Sequence, residues 1–340
     1  MNEKTLAMIP RIQSPEQKTV WQTLLAQAVK STDELLDILQ IDPARLKTRQ
    51  LAGNFPLRVP RGFVARMNKG DHQDPLLLQV LPVQQETANT AGFISDPLEE
   101  MDSMPVPGLL HKYKGRALLT TTGACAIHCR YCFRQHFPYA DANPATDHWQ
   151  PSVKYIEQHP EITELILSGG DPLTVTNARL QALTDQLENI EHLHTLRIHS
   201  RLPVVLPERI DEGLLAWLTT QNLKVVMVIH CNHPNEIDAS VSAAMKELSS
   251  AGVILLNQSV LLKNINDNAA TLAKLSARLF SAGVLPYYLH QLDRVQGAAH
   301  FEVDAATARK LLVEVSATLP GYLVPRLVQE IPGMPGKTLL

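Results

Sequence analysis

Arg116-Ala-Leu-Leu-Thr-Thr-Thr122 runs directly into Gly123-Ala-Cys125-Ala-Ile-His128-Cys129-Arg-Tyr131-Cys132-Phe-Arg134. The first part reads as a strand and the second as a strand-to-helix loop carrying a C-x₃-C-x₂-C cluster. Three thiolates can hold three irons of a cubane [4Fe–4S] cluster, whose usual complement is four cysteines, so the fourth iron is open to a ligand that reacts. A structural zinc site wants four closed ligands, and His128 or His136 would have to complete it. The Cys129/Cys132 spacing alone is a weak signal for a redox disulfide. Cys231, in Val-Ile-His230-Cys-Asn-His-Pro, is the remaining cysteine of four and reads as a spare, partly buried thiol. The cluster reading accounts best for the spacing.

Outward from this loop, short β-rich runs alternate with helical stretches. Strands are expected at Ala117–Thr122, Glu164–Ser168, Thr195–His199, Lys224–His230, Val253–Gln258 and Tyr287–Gln291. Between them Leu180, Leu183, Leu187 and Ile190 share one helical face, as do Leu272, Leu275 and Leu279. This rhythm predicts an α/β fold with a parallel sheet and right-handed crossovers. Six βα units suit a partial, open TIM-like barrel rather than a full eight-stranded one. Polar motifs fall at the strand ends: Ser168-Gly-Gly-Asp171, His199-Ser-Arg201, His230-Cys-Asn, Asn257-Gln258-Ser and His290-Gln-Leu-Asp293. Parallel barrels put their chemistry at that rim.

Residues 1 to 110 lack this rhythm and are expected to form a helical and irregular subdomain. Ser14 to Gln40 contains a helix with Trp21, Leu24, Leu25 and Ala28 on one face. Residues 111 to 325 form the barrel and residues 326 to 340 a C-terminal loop. The formal charge of −3 gives no electrostatic reason to expect nucleic acid. No apolar run approaches the roughly 18 residues that read as a membrane span, and the N-terminus lacks a signal-peptide core. Three of four cysteines gathered in one loop favour a reducing compartment, so a cytoplasmic location is expected.

Near the end comes Glu330-Ile-Pro-Gly-Met-Pro-Gly-Lys337, where two glycines and two prolines force an ordered, non-helical loop that delivers one lysine. Alone this stretch is weak. Together with the cysteine loop it resembles the lysine 2,3-aminomutase family of radical S-adenosylmethionine (SAM) enzymes. Other blocks similar to that family are Asp74-Pro-Leu, Gln79-Val-Leu-Pro, His111-Lys-Tyr-Lys-Gly-Arg116, Leu167-Ser-Gly-Gly-Asp-Pro-Leu173, Leu196-Arg-Ile-His-Ser-Arg201, His233-Pro-Asn-Glu236 and Asn257-Gln-Ser-Val-Leu-Leu262. The likeness extends from about Trp21 to Lys337.

The resemblance implies a [4Fe–4S] cluster on Cys125, Cys129 and Cys132, together with SAM and pyridoxal 5′-phosphate (PLP). Cluster and SAM supply a carbon radical that takes an unreactive hydrogen, and PLP carries the migrating nitrogen; the protein orients them and excludes water. Lys337 would carry PLP covalently until substrate displaces it. Arg116 and Lys112 would bind the PLP phosphate, for which arginine offers a planar fork. Ser168, Gly169, Gly170 and Asp171 would meet the amino group of SAM, with His230 and Gln258 as further contacts and Tyr131 near the adenine. Arg134 would pair with the substrate α-carboxylate, and Asp293 and Glu330 would receive the side-chain ammonium of L-lysine. Two acids at that end suit lysine and repel glutamate.

Two positions depart from the family pattern. Glu330 stands where free-lysine aminomutases have an aspartate, and His290 where a tyrosine is expected near PLP. Only Thr338, Leu339 and Leu340 follow Lys337. That short form is similar to members that make (R)-β-lysine for elongation factor P, which a separate lysyl ligase modifies. A reductant protein such as flavodoxin or ferredoxin is implied as electron donor. Two other readings are an aminomutase for free amino acids in catabolism or osmolyte synthesis, and a non-catalytic metal-binding protein.

Overall fold

A computed structural model describes residues 19–46, 55–139 and 149–340. Its frame is a nine-stranded sheet whose order follows the chain. The strands are β1 (Leu109–Tyr113), β2 (Arg116–Thr122), β3 (Glu164–Gly169), β4 (Thr195–Ser200), β5 (Lys224–His230), β6 (Ile254–Val260), β7 (Leu285–His290), β8 (Arg326–Gln329) and β9 (Thr338–Leu339). From β2 to β8 every neighbouring pair is parallel. β1 and β9 close the two ends as antiparallel edges. The barrel is therefore partial and open, built on six βα units as expected.

The crossovers are helices at Gln150–Glu157, Asn177–Leu187, Glu212–Thr219, Ala239–Ser250, Ala269–Ser281 and Ala305–Thr318, with short turns elsewhere. Asp211, Asp238, Asn268 and Asp304 each accept a first-turn backbone N–H through the side chain, which satisfies a donor that the helix itself cannot. Gly252 and Gly283, both at φ 82°, turn the chain from helix into β6 and β7, a conformation open to glycine without a Cβ penalty. The apolar run of β5, Val225 to Ile229, is mostly buried, as befits a parallel strand covered on both faces.

All six expected strands are present, with ends shifted by up to two residues. The single expected helix within Ser14–Gln40 is instead two, Val20–Ala26 and Thr32–Leu39; residues 14 to 18 lie outside the described ones. Val29 breaks the helix because it exchanges backbone hydrogen bonds with Val59, at 2.8 and 2.9 Å. Ser31 then caps the second helix. The N-terminal residues share one apolar core with the barrel, running from Trp21, Leu35 and Phe63 to Leu165, Met227 and Leu248. Among the described residues no helix is long and apolar enough to cross a membrane.

Candidate active site

Parallel strands place their C-terminal ends on one rim, and β2 delivers the cysteine loop there. Gly170 and Asp171, just past β3, donate backbone hydrogen bonds to the Thr122 and Ala124 carbonyls at 2.7 and 2.8 Å. A Cβ on Gly169 would lie 2.5 Å from the Thr122 oxygen, and one on Gly170 2.3 Å from the Ala124 oxygen. These glycines thus permit close approach to the cysteine loop. Asp171 ties the next turn down: its carboxylate accepts from the Leu173, Arg201 and Leu202 backbone and from the Ser200 hydroxyl. Burial pushes it up to about 6 despite those donors.

Cys125, Cys129 and Cys132 are free and half-buried. Burial and mutual charge raise the Cys125 and Cys132 thiols, the latter to about 12. Such thiols ionise together only around cationic metal, which is the chemistry of an iron–sulfur ligand set. Among the described residues no three His, Cys, Asp or Glu side chains converge on a single metal ion, whereas a cluster spreads its cysteine ligands over separate irons. His128 stacks on Phe55 and hydrogen-bonds the Pro56 carbonyl at 2.6 Å; His136 faces the Gln296 carbonyl at 3.3 Å. Cys231, expected to be partly buried, is instead fully buried against the His233 carbonyl.

Beside the cluster loop lies a buried polar network that sequence reading only grazed. The Arg201 guanidinium donates to Cys129 Sγ at 2.6 Å, to Gln79 at 2.6 Å and to Glu236 at 3.1 Å. Asn232 donates to the Tyr131 hydroxyl at 2.7 Å, and that hydroxyl meets His230 Nε2 at 2.9 Å. The Tyr131 and His230 rings stack. Both residues are therefore satisfied members of this network. Gln258 sits on β6 in register with His230.

The second cofactor motif is held by the sheet edge. β8 and β9 pair Val328 with Leu339 and Gln329 with Thr338, so the next step brings Glu330 opposite Lys337. Lys337 Nζ donates to the Glu330 carboxylate. Lys112, within β1, stands 3.8 Å from Glu330 and donates to the Leu98 carbonyl at 2.7 Å. Burial raises Glu330, but Lys337, Lys112 and the Tyr113 hydroxyl outweigh it and hold the carboxyl below its usual range. Arg116 lies over the Tyr113 ring at 4.2 Å. Asp293 behaves oppositely: burial and the Glu330 charge push it up to about 7.

Two histidines complete this region. His199 and His290 each leave Nε2 buried without a hydrogen-bond partner. Burial lowers both, and the Lys337 charge lowers them further. A lysine, two unpartnered ring nitrogens and the cations Lys112 and Arg116 form a donor set that fits PLP. His199 was not singled out from the sequence, although its position at the end of β4 is the signal that could have found it.

Arg134 lies two residues past the cysteine loop. Its Nε and Nη2 donate to the two Glu100 oxygens at 2.7 Å each, and Nη1 donates to Ser168 Oγ at 3.1 Å. His199 feels the charges of both Lys337 and Arg134, and Asp293 those of Lys337, Glu330 and Glu100. The cysteine-loop arginine and the C-terminal lysine thus both lower His199.

Residues 114–197 match the family described as 4Fe-4S single cluster domain. The chain is 51% identical over 337 residues to the L-lysine 2,3-aminomutase of Escherichia coli (strain K12), covering 98% of each. It is 48% identical to the Haemophilus influenzae enzyme of the same name, covering 94% of this chain and 95% of that one. With the Clostridium subterminale L-lysine 2,3-aminomutase the identity is 32%, over 94% of this chain and 77% of the relative. This chain belongs to the lysine 2,3-aminomutase family. It is a radical SAM isomerase whose cofactors are a [4Fe–4S] cluster, SAM and PLP.

Proposed function

We propose that this member of the lysine 2,3-aminomutase family converts L-lysine to (R)-β-lysine, and that the product is destined for a lysine side chain of elongation factor P. The observation that supports the first part is the chain of contacts from Arg134 through Glu100 and the nearby Leu98 carbonyl to Lys112, Glu330 and Lys337. An amino acid lying along it would present its α-carboxylate to Arg134 and its side-chain ammonium to Asp293 and Glu330. The long reach between carboxylate and ammonium suits lysine, and the acidic pair disfavours acidic side chains.

When bound, the cluster and SAM supply hydrogen abstraction and PLP carries the migrating nitrogen. The chain's own residues bind and orient. Cys125, Cys129 and Cys132 would ligate the cluster; Ser168, Gly169, Gly170, Gln258 and the Tyr131–His230 pair would border SAM. Lys337 would hold PLP, with Lys112 and Arg116 toward its phosphate. Glu330 holds the free Lys337 amine in place through its ion pair. Asp293, on which burial favours the proton, would give that proton up as the substrate ammonium arrives and then accept a hydrogen bond from it as a carboxylate.

The elongation factor P destination rests on the family resemblance; a flavodoxin or ferredoxin is the proposed reductant, and a reducing cytoplasm the proposed setting. The test is an anaerobic assay of reconstituted protein with reductant, SAM, PLP and L-lysine, read by chiral chromatography. (R)-β-Lysine is the expected product. Cleavage of SAM without β-lysine would refute the substrate. Transfer of the product to purified elongation factor P by its lysyl ligase tests the destination, and a product that the ligase rejects would refute it.

A further inference from the structure

Glu100 lies in none of the motifs that carry the chemistry, yet it is buried and holds both inner nitrogens of the Arg134 fork. Its own place is fixed. The Glu100 backbone N–H donates to the Asp96 carboxylate at 3.0 Å. Two residues earlier, the Leu98 carbonyl accepts from Lys112 Nζ at 2.7 Å. The segment around Glu100 therefore ties Arg134 on the cysteine-loop side to Lys112 on the Lys337 side.

The proton count on Arg134 is informative. A guanidinium carries five N–H bonds: one on Nε and two on each terminal nitrogen. Glu100 takes the Nε proton and one on Nη2, and Ser168 takes one on Nη1. One proton remains on Nη1 and one on Nη2, and those two nitrogens form the outer edge of the fork. A second carboxylate can accept both at once, in the bidentate geometry that arginine favours. Among the described residues no further hydrogen bond takes the two remaining protons, and Glu100 and Ser168 fix the plane of the fork.

We propose that Glu100 is a positioning residue for the substrate: it holds Arg134 by the inner edge so that the outer edge receives the α-carboxylate of L-lysine. The inference rests on the reading of Arg134 as the carboxylate site. A different role would have the opposite sign. If Glu100 merely occupied the carboxylate site until substrate displaced it, removing its charge would tighten lysine binding.

The experiment compares Glu100→Gln, Glu100→Asp and Arg134→Gln in the fully loaded enzyme, measuring KM and kcat for L-lysine. Glu100→Gln keeps the shape but turns an amide donor toward the guanidinium, so KM is expected to rise roughly ten- to hundredfold, as for other residues that orient a ligand-binding group. The fall in kcat is expected to be much smaller. Glu100→Asp keeps the charge on a shorter arm, and its KM should fall between the two. Should Glu100→Gln fail to fold, the Glu100→Asp rise in KM decides the question. A KM unchanged or lowered in the Glu100 variants, with Arg134→Gln raising it, overturns the positioning role alone. A KM unchanged in Arg134→Gln overturns the carboxylate reading and this inference with it.

Discussion

Gly170 offers a perturbation whose size can be worked from geometry. A Cβ at this position would lie 2.3 Å from the Ala124 carbonyl oxygen, 2.7 Å from its carbon and 2.8 Å from the Gly123 carbon, where ordinary contact begins at 3.4 Å. All three are backbone atoms, so Gly170→Ala cannot be relieved by a rotamer change; the cysteine loop must retreat by about 1 Å. Overpacking of this kind costs ~1–3 kcal/mol. The Asp171 N–H bond to the Ala124 carbonyl, 2.8 Å long, is strained or lost as well, adding ~1 kcal/mol. The total is about 2–4 kcal/mol. For 340 residues, an unfolding entropy of ~2.1 cal/mol/K per residue converts this to a Tm lower by roughly 3–6 °C. Because Cys125 follows Ala124 directly, the same retreat displaces the thiol proposed as a cluster ligand, and iron bound after anaerobic reconstitution should fall in parallel. Gly115→Ala is the control, since an added Cβ there meets nothing within 4 Å. A Gly170→Ala protein with the Tm and iron content of the Gly115→Ala control would refute the close-approach argument.

The remaining predictions concern the cofactor and substrate groups. Lys337→Ala should abolish borohydride-trappable PLP while leaving iron content intact, because cysteine loop and lysine hairpin sit on different strands; retention of trappable PLP would remove Lys337 from its role. Cys129→Ala should lose the iron–sulfur absorbance yet still bind PLP, as read by its near-ultraviolet band. Asp293, lifted by burial to about 7, should make lysine binding pH-dependent: its carboxylate is ionised only above that value, so KM should fall as pH rises from about 6 to about 8, and Asp293→Asn should flatten the profile. The stability sign is the reverse and its window lower: a carboxyl raised from ~3.9 in the unfolded chain to about 7 in the fold costs stability progressively as pH climbs from about 4 to about 7; an acid-side gain in Tm over that range that Asp293→Asn removes would confirm it.

The barrel was legible because its signals are local and periodic. Lys224 to His230 is an unbroken β-rich run, and the polar residues at each strand end announced the rim before any coordinate placed it. The edges were not legible for the same reason. β1, Leu109–Tyr113, is short and ends at the Lys114-Gly115 turn, and β9 has two residues; neither is long enough to show a period. The break between the two N-terminal helices depends on Val59, thirty positions away from Val29. Pairings at that range leave no mark on the local pattern. Within the site, the cysteine spacing and the Lys337 loop were readable as motifs, whereas the Glu330–Lys337 contact required the β8–β9 register.

The irregular N-terminal region has its own logic, visible from the cysteine loop outward. Arg130 and Arg134 flank Cys132 by two residues on either side, and each is paired with a buried glutamate from that region. Arg130 Nε donates to Glu86 at 2.9 Å, and Arg134 Nε to Glu100 at 2.7 Å. The His128 and Arg130 backbone N–H groups donate to the Arg58 and Gln79 carbonyls at 3.0 and 2.9 Å. A loop that must hold three thiols apart without repulsion collapsing their geometry needs restraint from outside itself, and a single strand-to-helix connection offers little. Buried ion pairs are a poor source of net stability, since desolvation offsets most of the attraction, but breaking one leaves an uncompensated charge and is strongly penalised. They therefore act less as glue than as a fixed register between two pieces of chain. Residues chosen to meet a loop at scattered points need no helical or strand period, so this region reads as a set of scattered contacts rather than as a pattern, and its order becomes apparent only against the loop it braces.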